Sequence, residues 1–365
     1  MKYIGGEIEF ENSSNKSKSE YSEIIKNTYK LYSTGRTAIK YVLKSLKPKY
    51  PVLLPSYMCE SITQPFEELK IPYHYYRVHK DLSIDISFLK NLLERNEYSA
   101  LLFINFFGFM NNHAQMEEIK SQYKDLVLLE DCTHSTFIPN LVAKTESIGD
   151  IVLGSLRKTL PLSDGAFILN NSNTIDSPSE PDNDFSKLKH HGKSLRRIYL
   201  NELSHSNLEE IYIDLLYNAE EKINVETPNT KISLTAESML EKLDLSEIFQ
   251  SRQRNYRLLF DKLKNDKQIQ EIGYCISDFR DFEMPYMLPF FVNGENRNEI
   301  RSKLREKGVF VSVIWGSMPQ VDKGTYSETY ELADHILCFP VDQRYGIEDM
   351  NRIYVTLKEV ISNEI

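Results

Sequence analysis

Short apolar runs recur through the first half of the chain: "YPVLLPSY" (50–57), "YHYYRV" (73–78), "ALLFINFFG" (100–108), "LVLLED" (126–131), "DIVLGSL" (150–156) and "GAFILN" (165–170). They are rich in Leu, Ile, Val, Phe and Tyr and end in Pro, Asp, Asn or Gly, which predicts buried strands. Helix-length amphipathic segments lie between several of them: "TAIKYVLKSLK" (37–47), "ESITQPFEELK" (60–70) and "ISFLKNLLERN" (86–96). Pro65, inside the second, falls near its start or kinks it. This alternation predicts an α/β domain with a largely parallel sheet covered on both faces.

The pattern changes after residue 170. "NNSNTIDSPSEPDNDFS" (170–186) is polar and reads as an exposed loop, followed by helical stretches in "LRRIYLNEL" and "NLEEIYIDLLYNAEEKI". The longest helical signal is 238–265. Beyond it, "YMLPFFV" (286–292), "NRNEIRSKLREKG" (296–308), "VFVSVIW" (309–315), "HILCFPV" (335–341) and "IEDMNRIYVTLKEVI" (347–361) predict a strand–helix–strand–strand–helix set. The expected organisation is a large domain over 1–250, with a polar loop and helical insert at about 170–235, and a small α+β domain over 251–365. No internal repeat is visible.

Composition narrows the function classes. The 365 residues are 41% apolar and 27% charged, as in an ordinary globular protein, and the net charge of −9 argues against nucleic acid or an anionic membrane as partner. The first ten residues contain no apolar signal core, and the longest apolar runs are too short to span a bilayer. The four cysteines stand far apart, which predicts neither a metal site nor a disulfide framework and fits a reducing cytoplasm.

Ligands of open parallel sheets bind at the carboxyl ends of the strands, so the polar residues there are the candidates. Ser33, Thr34, Gly35, Arg36 and Thr37 precede a helix, where free N–H groups suit a phosphate or make an ordinary Ser/Thr cap. Glu130 and Asp131 end an apolar run, with His134 three residues on; a carboxylate there holds a cationic nitrogen or caps a loop. Lys158 lies beside an apolar strand, where desolvation makes an amine nucleophilic, unless it is a surface lysine paired with Asp164. A phosphate cradle, an Asp for a pyridinium nitrogen and a Schiff-base lysine, in that order, are the three anchors of pyridoxal 5′-phosphate (PLP).

The chain resembles the DegT/DnrJ/EryC1/StrS group of fold-type-I PLP enzymes, the sugar aminotransferases. The resemblance rests on "STGRTAI" (33–39), "LLPSYMCESITQPFEELKIPYHYYRV" (53–78), "LEDCTHST" (129–136), "GDIVLGSLRKTLPLSDGA" (149–166), "RNYRLLFDKL" (254–263), "NRNEIRSKLREKGV" (296–309) and "ILCFPVDQRYGIEDMNRI" (336–353). It implies that Lys158 forms the Schiff base and Asp131 pairs with the pyridine nitrogen. His134 stands where the family has Gln or His near the ring. Gly35, Arg36 and Thr37 would contact the phosphate, with Ser155 a further contact. Cys59 takes the place of the family's ring-stacking aromatic, so either Tyr57 covers the ring by a different approach or the ring is covered less completely, and "SDGA" replaces the usual Gly-rich run after the lysine loop. Trp315 falls where the family lines the substrate end of the site, or is a core tryptophan.

The implied activity is transfer of an amino group, from glutamate, to a keto sugar linked to a nucleotide, in surface polysaccharide or secondary-metabolite biosynthesis. The implied assembly is a homodimer with shared active sites. A PLP enzyme acting on a non-sugar amino or keto substrate, and a non-catalytic regulatory member of the fold, are the alternatives. Members that dehydrate sugars have His at the lysine position, so Lys158 argues against that branch. Arg157 has no counterpart in the commoner members. Adjacent side chains of an extended segment point to opposite sides, so Arg157 is expected to turn away from Lys158 unless the turn before Pro161 rotates it back. Its role stays open between the cofactor phosphate, a substrate carboxylate and a structural partner for Asp164, and Asp164 or an anion such as the cofactor phosphate is its expected anchor.

Overall fold

Each of the six apolar runs before residue 171 contains a strand in the computed structural model, which describes residues 3–10, 25, 28–135, 147–170, 175–181, 183–202, 207–281, 283–316 and 321–362. Among these residues the strands are β1 (Ile4–Gly5), β2 (Lys30–Tyr32), β3 (Val52–Pro55), β4 (Tyr73–Tyr76), β5 (Ala100–Ile104), β6 (Val127–Asp131), β7 (Ile151–Ser155), β8 (Ala166–Asn170), β9 (Gly273–Cys275), β10 (Met287–Val292), β11 (Val309–Phe310) and β12 (Ile336–Pro340). Seven of them form one sheet in the order β2-β8-β7-β6-β5-β3-β4. The five strands from β7 to β4 run parallel, and β8 alone runs against its neighbours. Strands β3, β5 and β7 are buried along their whole length, as helices on both faces require.

The helices Gly35–Leu46 and Ile86–Arg95 form where the apolar periodicity places them. In the segment 60–70 a 3-10 turn, Glu60–Ile62, precedes the helix Gln64–Leu69, and Pro65 sits in its first turn, where its missing N–H costs nothing. Within the polar run 170–186, residues 175–181 and Asn183 have no regular structure, Asn170 ends β8, residues 184–186 already belong to a helix, and residues 171–174 and 182 lie outside the described residues. The Asn183 side chain then caps the helix Asp184–Asn201, which pairs with the helix Leu208–Val225.

The long signal at 238–265 is two helices, Leu234–Leu240 and Leu245–Asn265, because Asp244 accepts the Glu247 N–H and starts a new one. Strands β9, β10 and β12 form an antiparallel sheet flanked by the helices Arg297–Glu306, Ser327–His335 and Ile347–Ser362. The expected strand 309–315 shrinks to β11 and a bridge at Ser312, since Trp315 adopts a left-handed backbone at φ 53°. β11 pairs in parallel with β1, so the segment Ile4–Phe10 closes against the C-terminal part of the chain.

Candidate active site

The carboxyl ends of β6 and β7 lie side by side, with Asp131 opposite Leu153, and set down Asp131 and Ser155 at the edge of one cleft. A 3-10 turn, Leu156–Lys158, continues β7. Its shape is held by the Leu156 and Arg157 N–H groups, which both donate to Gly165 O, and by the Gly165 N–H, which donates to Ser33 O at 2.7 Å. Gly165 has φ 120°, a conformation that favours glycine. The lysine turn is thereby tied to the residues that precede the helix Gly35–Leu46.

Gly35, Arg36, Cys59, Asp131, His134, Ser155, Arg157, Lys158 and Trp315 all line this cleft, together with Thr34, Ser61 and Glu220. Two expected contacts do not line it. Thr37 is turned into its own helix: its N–H donates to Oγ1 of Thr34, the helix cap, at 3.1 Å and its hydroxyl donates to Pro228 O at 2.9 Å. Tyr57 is fully buried and donates its hydroxyl to Ile314 O at 2.7 Å, with its ring against Phe106 and Trp315.

Asp131 is buried, and its partners are the amide and hydroxyl of Thr133. Burial pushes its carboxyl up, against the pull of Thr133 and the Lys158 charge. No ion pair reaches Asp131 among the described residues, so the group is a buried acceptor without a matched cation. Lys158 is half-buried and makes no hydrogen bond or ion pair among the described residues.

His134 is stacked between two rings, Tyr286 at 4.3 Å and Trp315 at 5.2 Å between centroids. Burial, then the Lys158 charge, pushes its pKa down to about 3, so the imidazole is neutral. The Phe107 N–H donates to Nδ1 at 3.3 Å, which leaves Nε2 as the protonated nitrogen.

Glu130 faces the opposite side of β6. It accepts from Asn105 Nδ2 and the amides of Ile148 and Gly149, and His113 lies 3.1 Å away. This buried cluster fixes the strand end that carries Asp131.

Three expectations for the lysine turn change. Asp164 pairs with neither cation: it accepts the Ser233 N–H and hydroxyl and the Ser163 hydroxyl. Arg157 is anchored instead by Glu220, with Nη1 3.1 Å from Oε1, and its guanidinium lies over the Phe185 ring at 5.2 Å. Arg157 and Lys158 line the same cleft, because a 3-10 turn does not alternate its side chains as a strand does.

Glu220 is the residue that sequence reasoning missed. It comes from the helix Leu208–Val225, inside "NAEEKI", where a carboxylate reads as part of a solvated face. It also pairs with Lys189 at 2.8 Å, which reaches Glu7 at 2.9 Å; Glu7 lies 3.5 Å from Lys193. The helix hairpin further supplies Asn224, which accepts from Arg36 Nη2 at 2.8 Å.

No protein-family model matches the sequence, and no curated protein does. Solved structures do match in fold. An aminotransferase of the DegT DnrJ EryC1 StrS type from Brucella abortus is 14% identical with a TM-score of 0.63, covering 98% of this chain and 91% of that one. The aminotransferase TlmJ from Streptoalloteichus hindustanus is 14% identical with a TM-score of 0.66, over 98% and 93% of the two chains. The E. coli GDP-4-keto-6-deoxy-D-mannose-3-dehydratase with bound hydrated PLP is 15% identical with a TM-score of 0.65, over 97% and 100%. The chain therefore has the fold of these aminotransferase and dehydratase structures over nearly its full length.

Proposed function

We propose that the protein is a PLP-dependent aminotransferase that transfers an amino group from an amino acid, glutamate in the simplest reading, to a keto sugar linked to a nucleotide. The observation that carries this reading is one cleft with Lys158 and Asp131 on its walls and Thr34, Gly35 and Arg36, at the start of the helix Gly35–Leu46, at its margin. The fit to the cofactor rests on two further features. A Cβ at Gly35 would meet no atom within 4 Å, so packing does not require glycine there, and its absence keeps the helix amides open to an anion. Asp131 is a buried carboxylate lacking a matched cation, which a protonated ring nitrogen supplies.

In this reading Gly35, Arg36 and Ser155 hold the phosphate and Asp131 holds the ring nitrogen in its protonated form. When bound, the cofactor supplies the electron sink and carries the amino group between substrates. Lys158 Nζ anchors the cofactor and, once released, moves the proton at the substrate carbon as general base. His134 stays neutral at working pH and offers its Nε2–H as a fixed donor. Its stacking between Tyr286 and Trp315 locks the ring orientation. The fold shared with the PLP-bound dehydratase supports the cofactor, and Lys158 supports amino transfer over dehydration.

The reading includes a large domain over 1–250, a small one over 251–365, a cytoplasmic enzyme and a homodimer with shared sites. Exposed Ile213 and Tyr217, on the helix that carries Glu220, support a partner subunit against that helix. Among the described residues no helix is long and apolar enough to cross a membrane.

The test is borohydride reduction of the PLP-loaded protein followed by peptide mapping. A pyridoxyl adduct on Lys158 is expected, and Lys158→Ala should lose both the lysine-bound cofactor absorbance and turnover. An adduct on another lysine would overturn the assignment.

A further inference from the structure

Arg157 has one edge of its guanidinium committed and the other open. Nη1 and Nη2 lie 3.1 and 3.5 Å from the two Glu220 carboxylate oxygens, while Nε is buried with no hydrogen-bond partner among the described residues. A guanidinium grips a carboxylate through a parallel pair of N–H groups, and the Nε edge is one such pair. A buried donor left unmatched carries a penalty that a ligand oxygen removes.

Arg157 stands at the junction of two spaces. One is the cleft already described. The other is a second cavity, roofed by the segment Gly5–Ile8, whose walls include Tyr286, Phe310 and Ser312; the two share Arg157, Lys158 and Glu220 and nothing else. The second cavity touches neither Gly35 nor Ser155, so it lies apart from the anion site at the helix start.

Lys158 aside, the other charged groups on its wall are paired or hydrogen-bonded. Glu7 faces Lys189 and Lys193, and Asp342 is held by Arg344 at 2.7 Å. Arg252 donates to Gln343 and to the carbonyls of Pro285, Tyr286 and Thr159. The linked pairs Arg157–Glu220–Lys189–Glu7–Lys193 contain three cations and two carboxylates, so one positive charge in that chain is uncompensated.

We propose that the open edge of Arg157 binds the carboxylate of the amino donor, an α-amino acid seated in the second cavity. In an α-amino acid the amino group and the carboxylate share one carbon. A carboxylate on Arg157 therefore keeps the amino group beside the next residue, Lys158. The proposal rests on the aminotransferase reading. The other oxyanion this edge suits is the cofactor phosphate, and the experiment separates the two.

The PLP-loaded full chain is titrated with succinate, an unreactive dicarboxylate, following the cofactor absorbance and the melting temperature. The same is done for Arg157→Gln and Arg157→Lys, and PLP and inorganic phosphate are titrated into each apo form. Arg157→Gln is expected to bind PLP within about threefold of wild type but succinate at least about tenfold more weakly, the loss of a charged hydrogen-bond pair. Arg157→Lys should fall between, since it keeps the charge without the paired geometry; it carries the test if the glutamine variant does not fold. Unchanged succinate affinity in the variants of a loaded protein overturns the proposal alone, as does failure of succinate to bind loaded wild type. A joint fall in PLP and phosphate affinity, with succinate unaffected, hands the edge to the cofactor. A wild-type chain that takes up no PLP overturns the aminotransferase reading itself.

Discussion

The carboxylate of Asp164 is locked to Ser233, whose N–H reaches Oδ2 at 2.9 Å and whose hydroxyl reaches Oδ1 at 2.6 Å. The residue that the sequence offers as a counter-ion for the two cations of the lysine turn thus holds Ser233, the cap of the helix Leu234–Leu240. Full burial outweighs these bonds and pushes its pKa from 3.8 to about 6.

A pH dependence of stability follows. A raised carboxyl pKa means that folding favours the protonated form. The stability it contributes is fully present below the unfolded value of 3.8 and is lost as pH rises through about 6. Asp164→Asn keeps an acceptor for Ser233 and removes the charge, so the melting temperature should vary less between those two pH values and stay higher at neutral pH. An identical pH profile in the variant would count against the assignment.

Asp131→Asn should fold and yet lose most turnover. In the proposed reading the missing charge is one half of an ion pair with the cofactor ring nitrogen in a water-poor site, with a cost on the order of 2–5 kcal/mol by analogy with other buried pairs. Single-turnover rates with loaded protein measure it. Near-normal rates would mean that Asp131 only caps its loop through Thr133.

Glu7 compensates two buried ammonium groups. Burial raises its carboxyl, but Lys193 and Lys189 together hold it at about 2. The stabilisation is present above the unfolded value of 4.5 and is lost as pH falls through about 2. Glu7→Gln should cost near the lower end of the ~3–5 kcal/mol seen for broken buried pairs, because the Glu7 side chain keeps 31% of its exposure and is partly screened. Urea unfolding at neutral pH reads this out, and an unshifted midpoint would refute it.

Trp315 is the only tryptophan and lines the cleft with Lys158 and Asp131. Its fluorescence should therefore fall as PLP is titrated into the apo-protein. Emission that does not respond to bound cofactor would place the ring elsewhere.

Much of the frame was legible from local pattern. "LVLLED" and "DIVLGSL" are apolar enough to be central strands, and their polar ends mark the site. The three-residue strand β2 was not legible, since "KLY" acquires its conformation only by pairing with β8. The helix Ser327–His335 escaped because it buries only Thr329, Leu332 and Ala333, too thin a stripe to stand out. Lys158, Asp131 and His134 announced themselves by chemistry at strand ends. Glu220 did not, because its partner is 63 residues away and no local spacing encodes that contact. Thr37 and Tyr57 show the converse: a hydroxyl near a site is satisfied by whichever acceptor the packing brings closest.

The pairing of β1 with β11 has a consequence for how the chain folds. Gly5 donates its N–H to the Tyr345 hydroxyl across 340 residues, and a Cβ at Gly5 would stand 2.1 Å from Phe310 O. The roof of the second cavity is therefore built from stretches made at opposite times during synthesis. Loop-closure entropy makes such contacts late, so the large sheet can assemble while the segment Ile4–Phe10 still waits for its berth. Until β11 arrives, the carboxylates of Glu7 and Glu9 have only part of their eventual partners, and Lys189 of the helix hairpin has Glu220 but not yet a fixed Glu7. The site is therefore finished only once the stretch that carries β11 and Tyr345 is in place, long after the sheet that bears Lys158 and Asp131 can form.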